Sequence, residues 1–206
     1  MSKLIKDYIT KNRNCFIFLL IFFFAGTAAG AYYTRNFDSS VMKYMEEFFS
    51  AASNIYKLSE PSFPNVLRTA LSDSCKTAVF IWLMGFTVIG IGAIILSVLK
   101  SGFMCGFLSG FLINLYGGKG LLCAAVIIMA KCFFYIPAIL FISCESIKFS
   151  SMLIKITGGK FKYRVNFRQC VLSYVLVLAV AVVVMVVYAF FEAYAGGNIL
   201  KVYLKS

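Results

Sequence analysis

The chain alternates between long apolar runs and short polar connections. Five runs are almost free of charge, 15–34, 77–99, 101–116, 120–143 and 170–191, and Lys131 is the only ionisable Lys, Arg, Asp or Glu inside them. A helix needs about 20 such residues to cross roughly 30 Å of hydrocarbon. The pattern therefore predicts an all-α, polytopic membrane protein, with five transmembrane helices forming a single membrane domain over residues 1–206. The run 101–116 corresponds to only about 24 Å of helix, so it crosses only with snorkelling flanks or a locally thinned bilayer. The first run, preceded by Lys3, Lys6, Lys11 and Arg13 and containing Ala29-Gly30-Ala31, also has the order of a signal peptide. Its apolar stretch is longer than the usual h-region, which favours an uncleaved anchor.

Between the runs, 35–76 is the one sizeable connection on its side. Val41, Met45, Phe48, Ala52 and Ile55 recur at helical spacing, with Lys43, Glu46 and Glu47 on other faces, which predicts an amphipathic helix in the headgroup layer or against a partner. Glu46, Glu47 and Phe48 are its candidate partner contacts, joined by Glu192 and Tyr194 at the end of the last run. A second pattern, Phe63, Val66, Leu67, Ala70 and Leu71, leads into the next run. The connection 145–169 is basic, and its Lys160-Phe161-Lys162-Tyr163-Arg164 alternation suits anionic lipid headgroups at a membrane face better than nucleic acid.

Composition sharpens this reading. The 206 residues are 61% hydrophobic and 14% charged, and the mean hydropathy is +0.88; together these exclude disorder, collagen and coiled coil and argue against a soluble enzyme. Twenty Lys and Arg against eight Asp and Glu give a net charge of +12, which on a membrane chain reports orientation. With five crossings and the N-terminus inside, the inner face gathers the N-terminal basic residues, Lys100, and the 145–169 loop with Lys148, Lys155, Lys160, Lys162, Arg164 and Arg168, against only Asp7 and Glu145. The expected topology is N-in and C-out.

Within the runs, Gly102, Gly106 and Gly110 fall at i, i+4 and i+8, and Gly26 and Gly30 repeat the spacing once, so each series removes side chains from one helix face and lets another backbone approach. The partner is another span or a second copy of the chain. Lys131 is the strongest chemical candidate, because charge inside a membrane usually turns toward a bundle interior or a wet cavity. Asn114 is a candidate hydrogen-bond partner for it, and Tyr135 and Pro137 predict a local kink with a polar stripe.

Catalysis has little material. Histidine is absent, and the seven cysteines show no C-x-x-C spacing; Cys15, Cys105, Cys123, Cys132 and Cys170 sit in or beside apolar runs, and Cys75 falls in a polar connection. Gly117-Gly118-Lys119-Gly120 and Gly158-Gly159-Lys160 lack the spacing of a phosphate loop and read as turns. No metal, cofactor or catalytic residue is expected, and the chain is not expected to be an enzyme.

Several sequences then become recognisable: Trp82-Leu83-Met84-Gly85-Phe86-Thr87-Val88-Ile89-Gly90, Lys100-Ser101-Gly102 with Gly106-Phe107 and Gly110-Phe111, Asn114 with Gly117-Gly118-Lys119-Gly120, Ile136-Pro137, and Phe191-Glu192-Ala193-Tyr194. In order and spacing over nearly the whole chain, these resemble the stage II sporulation protein M family. The resemblance implies a five-span protein of endospore-forming bacteria, in the mother-cell membrane at the sporulation septum, acting in engulfment. It implies a non-catalytic scaffold that recruits and anchors the peptidoglycan-remodelling stage II sporulation proteins D and P. A small transporter or permease subunit with a polar path around Lys131 is the alternative. The broader family often carries Pro-His-Gly in the fourth span with a Glu shortly after, whereas this chain reads Ala130, Lys131, Cys132 and Tyr135 there.

Overall fold

In a computed structural model, the described residues are 10, 12–38, 40–45, 47, 63–157 and 167–204. They form five long helices: α1, Arg13–Arg35; α2, Phe63–Met84; α3, Gly90–Ala130; α4, Ile136–Thr157; and α5, Phe167–Leu204. A π-helical turn, Lys131–Tyr135, leads into α4. Pro137 explains it, since proline has no N–H to donate and crowds the carbonyl one turn back, so the preceding turn widens.

Among the described residues, four helical segments are long and apolar enough to cross a membrane: Arg13–Arg35, Gly90–Leu115, Lys131–Ile156 and Arg168–Tyr194. The boundaries differ from those the hydrophobic pattern predicts. The run 77–99 is not one helix: α2 ends at Met84, the chain leaves helical geometry over 85–89, and the second half of the run joins 101–116 in α3. That removes the shortness of 101–116. Hydropathy misses the break because every residue in it is apolar or small, and two of its freed carbonyls are met by side chains of the protein. Thr87 Oγ1 donates to the Met84 carbonyl at 2.8 Å, and Ser150 Oγ donates to the Thr87 carbonyl at 2.7 Å.

The fourth predicted run ends at 143, yet its helix continues to Thr157 because Ser143, Ser146 and Ser150 form a buried stripe instead of opening a loop. Cys75 lies on α2, half-buried, and not in a polar connection. Of the predicted amphipathic helix, 40–45 are helical with Val41 exposed; Glu46, Phe48, Ala52 and Ile55 lie outside the described residues, as do Lys160, Lys162 and Arg164.

Contacts fix the helix directions. Gly26 and Gly30 of α1 meet the backbone at Leu99, Phe103 and Phe107 of α3, and Gly102 and Gly106 of α3 meet Phe23 and Thr27 of α1. Residue numbers rise together on the two sides, so α1 and α3 are parallel. The chain between them must return, and α2 does so: Trp82 near its end pairs with Tyr174 near the start of α5. Lys131 and Tyr135 lie beside Cys105 and Ser101, so the limb after Gly117 runs back along α3. The reversal occurs at Gly117, whose φ of 55° and ψ of −128° break the helix; a positive φ there favours glycine. This is where the sequence places a turn. Phe134 and Tyr135 of the π-helical turn against Phe191 and Tyr188 respectively, with Phe149 of α4 against Tyr174, set this limb antiparallel to α5.

Leu19, Ile81, Ile94, Ile142 and Met185, one from each helix, are fully buried in the shared core. Large apolar side chains such as Phe24, Leu96, Leu172 and Val183 face outward, as they do where the solvent is lipid.

The glycine seam generates the first prediction. A Cβ at Gly106 would fall on the Thr27 carbonyl, whereas one at Gly92 meets nothing within 4 Å. Gly106→Leu is expected to destabilise the purified protein by at least about 1–3 kcal/mol, read as a lower thermal midpoint in detergent, and Gly92→Ala to leave the midpoint unchanged.

Candidate functional site

Two places concentrate polar chemistry. The first is an aromatic knot at the break between α2 and α3. Tyr174 stacks on Phe149, with centroids 4.4 Å apart and planes at 3°, and on Trp82 at 5.5 Å and 16°. Phe86 packs edge-on against Trp82 and Phe149. The Tyr174 hydroxyl donates to the Trp82 carbonyl at 2.8 Å and lies 2.6 Å from Ser146 Oγ, while Trp82 Nε1 donates to the Tyr174 carbonyl at 3.2 Å. Gly85 has to be glycine, because a Cβ there would fall on the Tyr174 hydroxyl. The Trp-x-x-Gly sequence is thus the element that closes α2 onto α4 and α5. The start of α1 is at this same end, where Arg13 and Cys15 share a groove with Ile147, Lys148 and Lys155. Lys148 is ion-paired with Glu145 at 2.6 Å.

The second place is a cleft of about 1270 Å³ between α2 and α3, floored by the π-helical turn and α5. Its charged lining is Asp73, Lys76, Lys100, Lys131 and Glu192, with hydroxyls from Thr77, Ser97, Ser101 and Tyr135 between them. At 1.5 Å per residue, Asp73 lies about 16 Å from the α2 end at Met84, and Lys100 lies about 15 Å from the α3 start at Gly90. Both are therefore at mid-bilayer depth if these helices cross. An ammonium there costs about 2.5–3.5 kcal/mol on insertion scales unless it meets water or a partner. Asp73 and Lys76, one turn apart, are 4.0 Å apart and about three-quarters exposed. Neither Lys100 nor Lys131 forms an ion pair among the described residues.

The sequence-derived candidates divide accordingly. Gly102, Gly106, Gly110, Gly26 and Gly30 come together in one seam, and their partner is within the chain: α1 against α3. Lys131 faces the cleft with Glu192. Asn114 does not pair with Lys131; its Nδ2 donates to the Thr34 carbonyl at 3.0 Å and so ties the α1 end to α3. Asn114 sits near the reversal, well beyond the Lys131 level. Tyr194 is exposed and Glu192 half-buried. Glu47 is exposed on the short helical segment, and Glu46 and Phe48 lie outside the described residues. Lys100, Asp73 and Lys76 were missed as a site. Lys100 reads as a loop charge only because two apolar runs flank it, and 73–76 as a connection because their charges depress local hydropathy. The spacing of Lys100 three residues after Ser97 and of Asp73 four before Thr77, one helical turn in each case, was the available signal.

The knot yields the second prediction. Tyr174→Phe keeps the stack but strips a hydrogen bond from the Trp82 carbonyl and Ser146, with an expected cost of about 1–3 kcal/mol. Gly85→Ala is expected to cost more, since it displaces the hydroxyl itself. Thermal unfolding and the emission of the single tryptophan read both.

No curated protein and no solved structure matches the chain. The family model for stage II sporulation protein M matches residues 19–196, from within α1 to just beyond Glu192. That span contains the glycine seam, the Trp82 knot and the cleft, and the chain is therefore a member of the stage II sporulation protein M family, a sporulation-related membrane protein.

Proposed function

We propose that the chain is a non-catalytic membrane scaffold of sporulation, with five crossings, N-in and C-out, that recruits and anchors the peptidoglycan-remodelling stage II sporulation proteins D and P during engulfment at the septal mother-cell membrane. The observation that carries the reading is the α1–α3 seam. Two helices in backbone-to-backbone contact at four glycines, with a fifth, Gly110, against the Thr34 side chain, and held at one end by the Asn114 bond, resist the rocking of one bundle half against another that alternating access uses. A fixed bundle suits a holder of partners. Family membership supports the sporulation setting.

The fifth crossing in this reading is α2. Its Arg68, Asp73 and Lys76 exclude it from the apolar set, but parallel α1 and α3 require a return between them, and 22 residues span about 33 Å. The positive-inside rule then puts the end holding Arg13, the 85–89 break and the basic 158–166 connection in the cytoplasm. The outer contacts proposed for partners are Glu46, Glu47, Phe48, Glu192 and Tyr194, and the basic connection is the proposed contact for anionic lipid headgroups.

One observation favours the second reading, a small transporter subunit: the cleft places Lys131, Lys100 and Glu192 along one polar path. Lys131→Met separates the two: the transporter reading expects it to abolish transport while leaving assembly alone. The scaffold reading expects capture of the D and P proteins from sporulating membranes to survive Lys131→Met and to fall severalfold with Glu46→Lys/Glu47→Lys or Gly106→Leu. Loss of capture with Lys131→Met alone, or turnover of murein by the purified chain, contradicts it. The topology is read by labelling from outside intact cells in a cysteine-free background: Asn65→Cys is expected to react and Thr87→Cys to be protected.

A further inference from the structure

We propose that the cleft between α2 and α3 is a binding site for a single membrane amphiphile with an anionic phosphate head, held by Lys100 and Lys131. The charge count is favourable. Three lysines face two carboxylates, and the Asp73–Lys76 contact at 4.0 Å neutralises one of each. Glu192 lies beside Tyr188 at one end of the cleft, which leaves Lys100 and Lys131 as ammonium groups with no ion pair among the described residues. Ser97, Ser101 and Tyr135 line the interval between them, the two serine hydroxyls donating to the Ala93 and Ser97 carbonyls of their own helix. Two ammonium groups on one cavity suit a phosphate, which accepts several charge-assisted hydrogen bonds at once.

The rim argues for a lipid over a free ion. Phe80, Leu96 and Met104 line the same cleft and are 45%, 65% and 53% exposed, so an acyl chain leaving the head runs over apolar side chains instead of through the polar floor. The volume of about 1270 Å³ exceeds that of common small-ligand pockets and accommodates a head with the first part of a chain. The cleft extends from mid-depth toward the end that holds Asn65 and Glu192, opposite the Tyr174 knot, so the head enters from the headgroup layer on that side.

The test uses the full-length protein purified in a neutral detergent, with native mass spectrometry of bound lipid after addition of phosphatidic acid, phosphatidylethanolamine or diacylglycerol. Wild type is expected to retain one phosphatidic acid per chain, and about tenfold more of it than of diacylglycerol. Lys100→Gln/Lys131→Gln is expected to lower that retention about tenfold, while Lys100→Arg/Lys131→Arg, which preserves charge, retains it. Lys155→Gln/Arg168→Gln, at the opposite end of the bundle, also retains it. The proposal is overturned if the glutamine pair binds as wild type does, if the arginine pair loses the lipid equally, or if retention falls only with Lys155→Gln/Arg168→Gln. Release of the bound lipid by millimolar inorganic phosphate overturns the amphiphile in favour of a free anion.

Discussion

Backbone contact between α1 and α3 organises the molecule. Gly26 and Gly30 admit the backbone of Leu99, Phe103 and Phe107, Gly102 and Gly106 admit that of Phe23 and Thr27, and Gly110 admits the Thr34 side chain, so neither helix can slide along the other without a clash. Lipid offers no hydrophobic force to drive helices together, and small residues that permit close approach take its place. Once the two are parallel, α2 has to return the chain, and that requirement places Asp73 and Lys76 beside Lys100. The polar cleft is thus a consequence of the seam: a helix of mixed polarity is drawn into the bundle because topology leaves it no other route.

The cost of that route is contained locally. Charges gather on one cleft, with hydroxyls between them, and at the 84–89 break the Met84 and Thr87 carbonyls are met by the Thr87 and Ser150 side chains. The stacked Trp82, Tyr174 and Phe149 rings fix the opposite side of the same helix. One end of α2 is therefore locked and its middle borders a polar space, which is a division of labour between rigidity and binding within a single helix.

Much of this was legible in the sequence. The five apolar runs announced an all-helical membrane protein, the four-residue glycine spacing announced a packing face, and Gly117-Gly118 marked a reversal. What escaped was whatever hydropathy does not measure. Gly85 to Ile89 is as apolar as its flanks, so the break was hidden; it depends on a tertiary partner, the Tyr174 hydroxyl, far along the chain. Lys100 appeared to separate two spans because a charge lowers a window average regardless of where its side chain points. Asn114 was matched to Lys131 by chemistry, whereas the folded chain offers it the Thr34 carbonyl at the end of α1. Spacing identified the glycine face but could not say whether its partner was within the chain.

A rigid seam inside one chain is the claim on which the scaffold reading and the cleft both rest. It is tested most directly by a pulsed electron–electron resonance distance between spin labels at Tyr32→Cys and Ile113→Cys, both exposed positions near the same ends of α1 and α3. The account predicts one short, narrow distance that is unchanged when labelled chains are diluted with unlabelled ones. A broad or long distance, or a short one that disappears on dilution, would contradict it.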